Sequence, residues 1–122
     1  IPQAWNQMFE EWFSMKVPED RLGCLQDIHW SMAAFGYFPT YTLGNLYAAQ
    51  LLDAMGDELG DINAIVESGN WLPMLDWLRT NIHQNGSKYT PSELIELATG
   101  IPPTPQPFIN YVEKKYGELY NL

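Results

Sequence analysis

The residues able to do chemistry concentrate between Gly23 and Asn45, where His29 closely follows Gln26 and Asp27, and Tyr37 and Tyr41 come soon after. Imidazole and phenol groups both donate hydrogen bonds, and donors of this kind stabilise negative charge as it develops on an oxygen. Asp27 can hold His29 in one tautomer if the fold brings the two together, and Gln26 is suited to orienting neighbours. Trp30 reads as packing. Apolar rings and polar groups interleave here without a fixed period, which suits a loop lining a cleft better than a core element.

Other chemistries find little support. A catalytic zinc site needs three protein ligands, most often two histidines one helical turn apart and a carboxylate further on. This chain has two histidines, His29 and His83, far apart and without a partner at ligand spacing. Cys24 sits beside Leu25 with no basic neighbour, as expected of a small buried hydrophobe rather than a nucleophile. There is no nucleophile elbow and no glycine-rich phosphate loop. Arg79 could pair a substrate carboxylate, but a surface arginine on an amphipathic helix is the commoner situation.

The elements that must position this stretch read as helices. Apolar residues at 5, 8, 9, 12 and 13 follow helical spacing, and Val17-Pro18 is expected to stop that helix. A longer helix is expected from about Thr40 to Met55, with Leu43, Leu46, Tyr47, Leu51, Met55 and Leu59 on one stripe. Gly44 inside it suggests that backbone or ligand comes close there. Asp61 looks like an N-cap, and Gly69 ends a short helix. Trp71 to His83 repeats the amphipathic pattern and ends by Gly86. Thr90-Pro91-Ser92-Glu93 is a capping-box start for a helix that stops at Gly100. Four prolines between Ile101 and Pro107 force an extended segment, and a last helix runs to about Tyr120. No strand is evident. The expectation is one all-α domain over residues 1–122: an irregular bundle of about six helices with an aromatic-rich loop on one side.

With 15 acidic residues against 6 basic ones, the net charge is −9. That excludes nucleic acid and anionic membrane surfaces, which need a basic face. No apolar run has transmembrane length. One cysteine excludes an internal disulfide and fits a reducing compartment, the cytoplasm. Five tryptophans and seven tyrosines are a heavy aromatic load, so some rings are expected at the surface. The chain begins at Ile1 rather than Met, which suggests a piece of something longer.

Gly23-Cys24-Leu25-Gln26-Asp27-Ile28-His29-Trp30 resembles the Gly-x-x-Gln-Asp-x-His-Trp signature of the carboxypeptidase Taq family of zinc metallocarboxypeptidases. Gly36 to Asn45, Gly-Tyr-Phe-Pro-Thr-Tyr-Thr-Leu-Gly-Asn, is similar to a second block of that family. Trp77-Leu78-Arg79, Ile82-His83, Gly86, Tyr89-Thr90-Pro91 and Thr99-Gly100 resemble its extreme C-terminus. The family's His-Glu-x-x-His zinc motif is not in these residues. The resemblance implies the last quarter of a larger, mostly helical enzyme that removes single residues from peptide C-termini. Its zinc would be held by ligands outside this chain. It also implies a homodimer, and a peptide groove walled by this chain and the remainder of the parent. The related superfamily places a Tyr or His donor on a Gly-Tyr-containing loop. By position this makes Tyr37, then Tyr41, then His29 the catalytic candidates, with Gln26, Asp27 and Trp30 lining the groove or orienting the loop. The alternative is a non-catalytic helical module that docks a partner protein.

Overall fold

The computed structural model describes residues 1–122 and is helical, with no strand. Seven α-helices follow in order: α1 Pro2–Phe13, α2 Ile28–Ser31, α3 Pro39–Leu59, α4 Ile62–Glu67, α5 Leu72–Asn81, α6 Pro91–Thr99 and α7 Gln106–Tyr120. Three 3₁₀ turns, Asp20–Leu22, Cys24–Gln26 and His83–Asn85, join them. The helix beyond the expected six is α2, one turn at Ile28–Ser31, within a loop stretch whose residues Asp27 to Trp30 suit a helical turn. The chain divides into two compact units, residues 1–40 and 41–122.

In the first unit, α1 begins with Pro2 in its first turn, where proline removes no needed hydrogen bond. It ends earlier than Val17-Pro18 would require. Ser14 takes a left-handed conformation (φ 53°) and its N–H donates to the Glu10 carbonyl at 2.9 Å, closing the helix at Phe13. Of the aromatic stripe, Trp5 and Phe9 are half-buried and stack on each other, with ring centroids 6.3 Å apart. Met8, Trp12 and Phe13 remain exposed, as the aromatic load led one to expect.

The second unit is built on α3, whose residues from Tyr41 onward belong to it. Met55, Trp77 and Ala98 form its buried centre, from α3, α5 and α6, and Leu51, Ala54, Leu59, Ile62, Met74, Leu78 and Ile82 pack around it. Local signals act as their chemistry dictates. The Asp61 carboxylate accepts from the N–H groups of Asn63 and Ala64 and starts α4. Gly69 and Gly100 take the positive φ that ends α4 and α6. At Gly44 a Cβ would meet nothing of this chain within 4 Å, so it is not this chain's own backbone that comes close there.

One buried polar side chain joins the prolines to the core. Gln50 on α3 is 2% exposed. Its Nε2 donates to Thr99 Oγ1 at 2.9 Å and to the carbonyls of Ile101 (3.1 Å) and Pro102 (3.2 Å), and its Oε1 accepts the Thr104 N–H at 3.0 Å. The extended segment between α6 and α7 cannot pair its own backbone, because its prolines lack N–H groups. The Gln50 amide supplies the partners.

Two outcomes follow for stability. Gln50→Leu leaves the Thr104 amide without its acceptor and the carbonyls of the exposed Ile101 and Pro102 to water, so it is expected to cost about 1–3 kcal/mol in urea unfolding, the scale of one stranded group. The second concerns the capping box of α6. Glu93 accepts from the Thr90 hydroxyl at 2.7 Å and from the Thr90 N–H at 2.8 Å. The hydroxyl first and the amide second hold its carboxyl below the ordinary glutamate range. A carboxyl depressed in the folded state stabilises the fold above its unfolded pKa, and that stability is lost as pH falls through the folded value. Amide exchange at Leu94, whose N–H bonds the Thr90 carbonyl, is expected to lose protection over that acidic window, and Glu93→Gln is expected to flatten the dependence.

Candidate functional site

The stretch from Gly23 to Thr40 lies wholly in the first unit. It starts with two 3₁₀ turns meeting at Gly23, which is buried. A Cβ at Gly23 would overlap Val17 Cγ1 and lie 3.4 Å from Trp5 Nε1, so this glycine lets the turns close on α1 and its flank. Cys24 is 2% exposed and packs as a small hydrophobe, as its apolar neighbour implied. Gln26 donates from Nε2 to the Arg21 carbonyl and ties one turn to the other. Trp30 meets Trp5 edge-on at 5.9 Å and is packing, as expected.

Asp27 and His29 do come together. Asp27 is the N-cap of α2, its Oδ1 accepting the His29 backbone N–H at 2.9 Å. The same Oδ1 lies 2.7 Å from His29 Nδ1. Both side chains are sheltered, at 13% exposure for His29 and 10% for Asp27. A carboxylate against Nδ1 places a ring proton there, so Nε2 accepts in the neutral imidazole and donates only in the imidazolium. The one-turn helix is what brings the cap and the ring two residues apart to the same oxygen.

The chain then folds back onto the imidazole. The His29 carbonyl accepts from the amides of Met32 and Ala34, Ala33 and Gly36 take positive φ (57° and 79°), and the Tyr37 N–H donates to the Ala34 carbonyl. This brings the Tyr37 ring to 5.5 Å from the His29 ring, tilted by 32°, and the Phe38 ring to 5.3 Å, at 65°. Thr40 fixes the turn: its N–H and its hydroxyl both donate to the Tyr37 carbonyl, at 3.0 and 2.6 Å. Tyr41 stands in the first turn of α3. Tyr37 and Tyr41 are about half exposed, at 52% and 53%.

Thus Asp27, His29 and Tyr37 are gathered in one place, with Gln26 and Trp30 supporting the turns before them. Phe38 was not singled out from the sequence, although it stands among the aromatics of the Gly-x-x-Pro turn. The other candidates lie elsewhere. Arg79 is paired with Asp76 on the surface of α5 at 3.0 Å, and His83 opens an exposed 3₁₀ turn. No three His, Cys, Asp or Glu side chains group so as to hold a metal ion. No helix is long and apolar enough to cross a membrane.

Residues 1–116 match the family model of the carboxypeptidase Taq (M32) metallopeptidases, and the chain belongs to that family. Among its relatives is thermostable carboxypeptidase 1 of Thermus thermophilus, 43% identical over 120 residues, an overlap of 98% of this chain and 24% of that protein. Carboxypeptidase 1 of Bacillus subtilis is 38% identical over 122 residues, all of this chain and again 24% of the relative. The solved structure of Pyrococcus furiosus carboxypeptidase superposes with a TM-score of 0.90 at 37% identity, over 94% of this chain and 23% of that one. The chain therefore spans about a quarter of the length of the relatives it matches.

The dual role of Asp27 makes its variants separable. Asparagine caps a helix as well as aspartate does, whereas alanine does not cap. Asp27→Asn is expected to keep the stability of the chain, and Asp27→Ala to lose about 1 kcal/mol in urea unfolding. Nitrogen chemical shifts of the His29 ring are expected to show a single tautomer in the parent chain and a mixture in Asp27→Ala.

Proposed function

We propose that this chain works within a zinc-dependent metallocarboxypeptidase that releases single residues from peptide C-termini. The zinc ligands lie outside these 122 residues, and the enzyme is a cytoplasmic homodimer. Family membership supports the reaction class. The observation that carries the role of this stretch is the Asp27–His29 pair packed under the Tyr37 turn. A carbonyl oxygen attacked by water gains negative charge, and a preplaced donor stabilises that charge more than it stabilises the starting carbonyl. Tyr37 is the first donor, Tyr41 the second, and His29 a further donor or the holder of the turn. Gln26, Asp27 and Trp30 keep His29 and the turns around it in place and form part of the groove wall. In this reading the chain supplies binding and hydrogen bonds, and the activation of water belongs to the zinc and the residues that hold it.

The test uses the enzyme that contains this chain, supplied with zinc, and a ladder of peptides read by mass. Tyr37→Phe is expected to lower kcat by roughly 10²-fold with little change in KM, the pattern of a donor used chiefly in the transition state. The 122-residue chain by itself is expected to trim nothing. Unchanged kcat in both Tyr37→Phe and Tyr41→Phe, or C-terminal trimming by the chain alone with stoichiometric zinc, overturns the assignment.

A further inference from the structure

We infer that the groove between α3, α4 and α7 binds a free α-amino acid with an apolar side chain. The groove has a volume of about 590 Å³, lies in the second unit and shares no residue with the stretch 23–45. Small-molecule sites run from roughly 300 to 1,000 Å³. Its apolar lining is Leu52 from α3, Ile62 from α4 and the buried Pro107 from α7. Its charged lining has both signs. Lys114, Lys115 and Glu118 share one face of α7, and Asp53 lines the groove from α3. None of these four neutralises another: the ion pairs of the chain join Lys16 to Glu10, Arg21 to Glu19, His29 to Asp27 and Arg79 to Asp76. Lys115 instead donates to the Tyr111 hydroxyl at 2.8 Å, which raises its pKa above the ordinary lysine value and leaves further N–H groups to donate. Two ammonium groups and two carboxylates give this lining no net charge. A simple anion loses to the carboxylates what it gains from the lysines, and a simple cation does the reverse. A zwitterion satisfies both signs at once. Its carboxylate takes the lysine donors, its ammonium group takes Asp53 or Glu118, and its side chain covers the apolar lining. Such a molecule is also what the reaction proposed above releases; that link rests on that reading, whereas the binding does not.

The test titrates leucine into the isotope-labelled chain and follows its resonances. Saturable shifts are expected at Asn63, Tyr111 and Lys115, with a Kd on the order of 1 mM. Three analogues divide the contributions. Isocaproate lacks the ammonium group, isoamylamine lacks the carboxylate and glycine lacks the side chain, and each is expected to bind roughly tenfold more weakly. Lys115→Met and Asp53→Asn are each expected to weaken leucine by roughly tenfold. Should either variant fail to fold, the analogue series on the unsubstituted chain decides the matter without it. In the enzyme that contains this chain, Lys115→Met is expected to weaken leucine at the groove to the same extent and to leave peptide trimming unchanged. Shifts that never saturate, isocaproate or isoamylamine binding as tightly as leucine, or a titration that Lys115→Met leaves unaltered overturn the inference. An enzyme that trims no peptide defeats the link to a released product, while the titration still decides whether the groove takes the amino acid.

Discussion

The larger unit depends on a single amide. Pro102, Pro103 and Pro105 make the connection from α6 to α7 one that neither helix nor sheet can satisfy. Such a segment normally lies in water, where its carbonyls find partners. Here it lies against α3, and Gln50 replaces the water with three donated contacts and one accepted one. Each bond alone is worth little net, but stranding its partners is costly, which is why the arrangement is all-or-none. With the segment fixed at Ile101, Pro102 and Thr104, the exit from α6 and the approach to α7 are tied to α3.

The smaller unit solves a different problem with the same economy. It has Cys24 as its one buried hydrophobic side chain, so its order comes from turns and caps more than from an oily centre. Gly23 allows the close approach to Val17 and Trp5, Gln26 ties two turns, and one carboxylate oxygen of Asp27 serves both a helix start and a histidine ring. Polar bonds of this kind define direction, which burial does not. The donor role proposed for this stretch calls for such direction.

What the sequence made legible was local chemistry. The Thr90–Glu93 box, the Asp61 cap and the glycines at 69 and 100 each act over three or four residues, and each was visible from residue type and spacing alone. The all-helical class followed from periodicity. The family resemblance, carried by two motif blocks, was matched over residues 1–116. Less legible were features set by distant partners. Gln50 lies on the same face of α3 as Tyr47 and Ala54, and a polar residue on an apolar stripe was the available signal. Its partners lie about fifty positions away, beyond any local pattern. The early end of α1 was missed because Ser14 adopts a left-handed turn that serine seldom takes. The open flank at Gly44 was missed because helix propensity registers a cost without naming its cause. Phe38 escaped notice because an aromatic in a loop has no period to mark the ring it meets, here that of His29.

Gln50 also sets a limit on chemical ageing. Deamidation would exchange its NH₂ for an oxygen, a change of almost no volume. The carbonyls of Ile101 and Pro102 would then face an acceptor instead of a donor, and a negative charge would sit where almost no water reaches. Burial slows that hydrolysis by excluding water from the amide. The clamp is therefore durable while closed, and open to irreversible damage only in molecules that have already let the proline segment go.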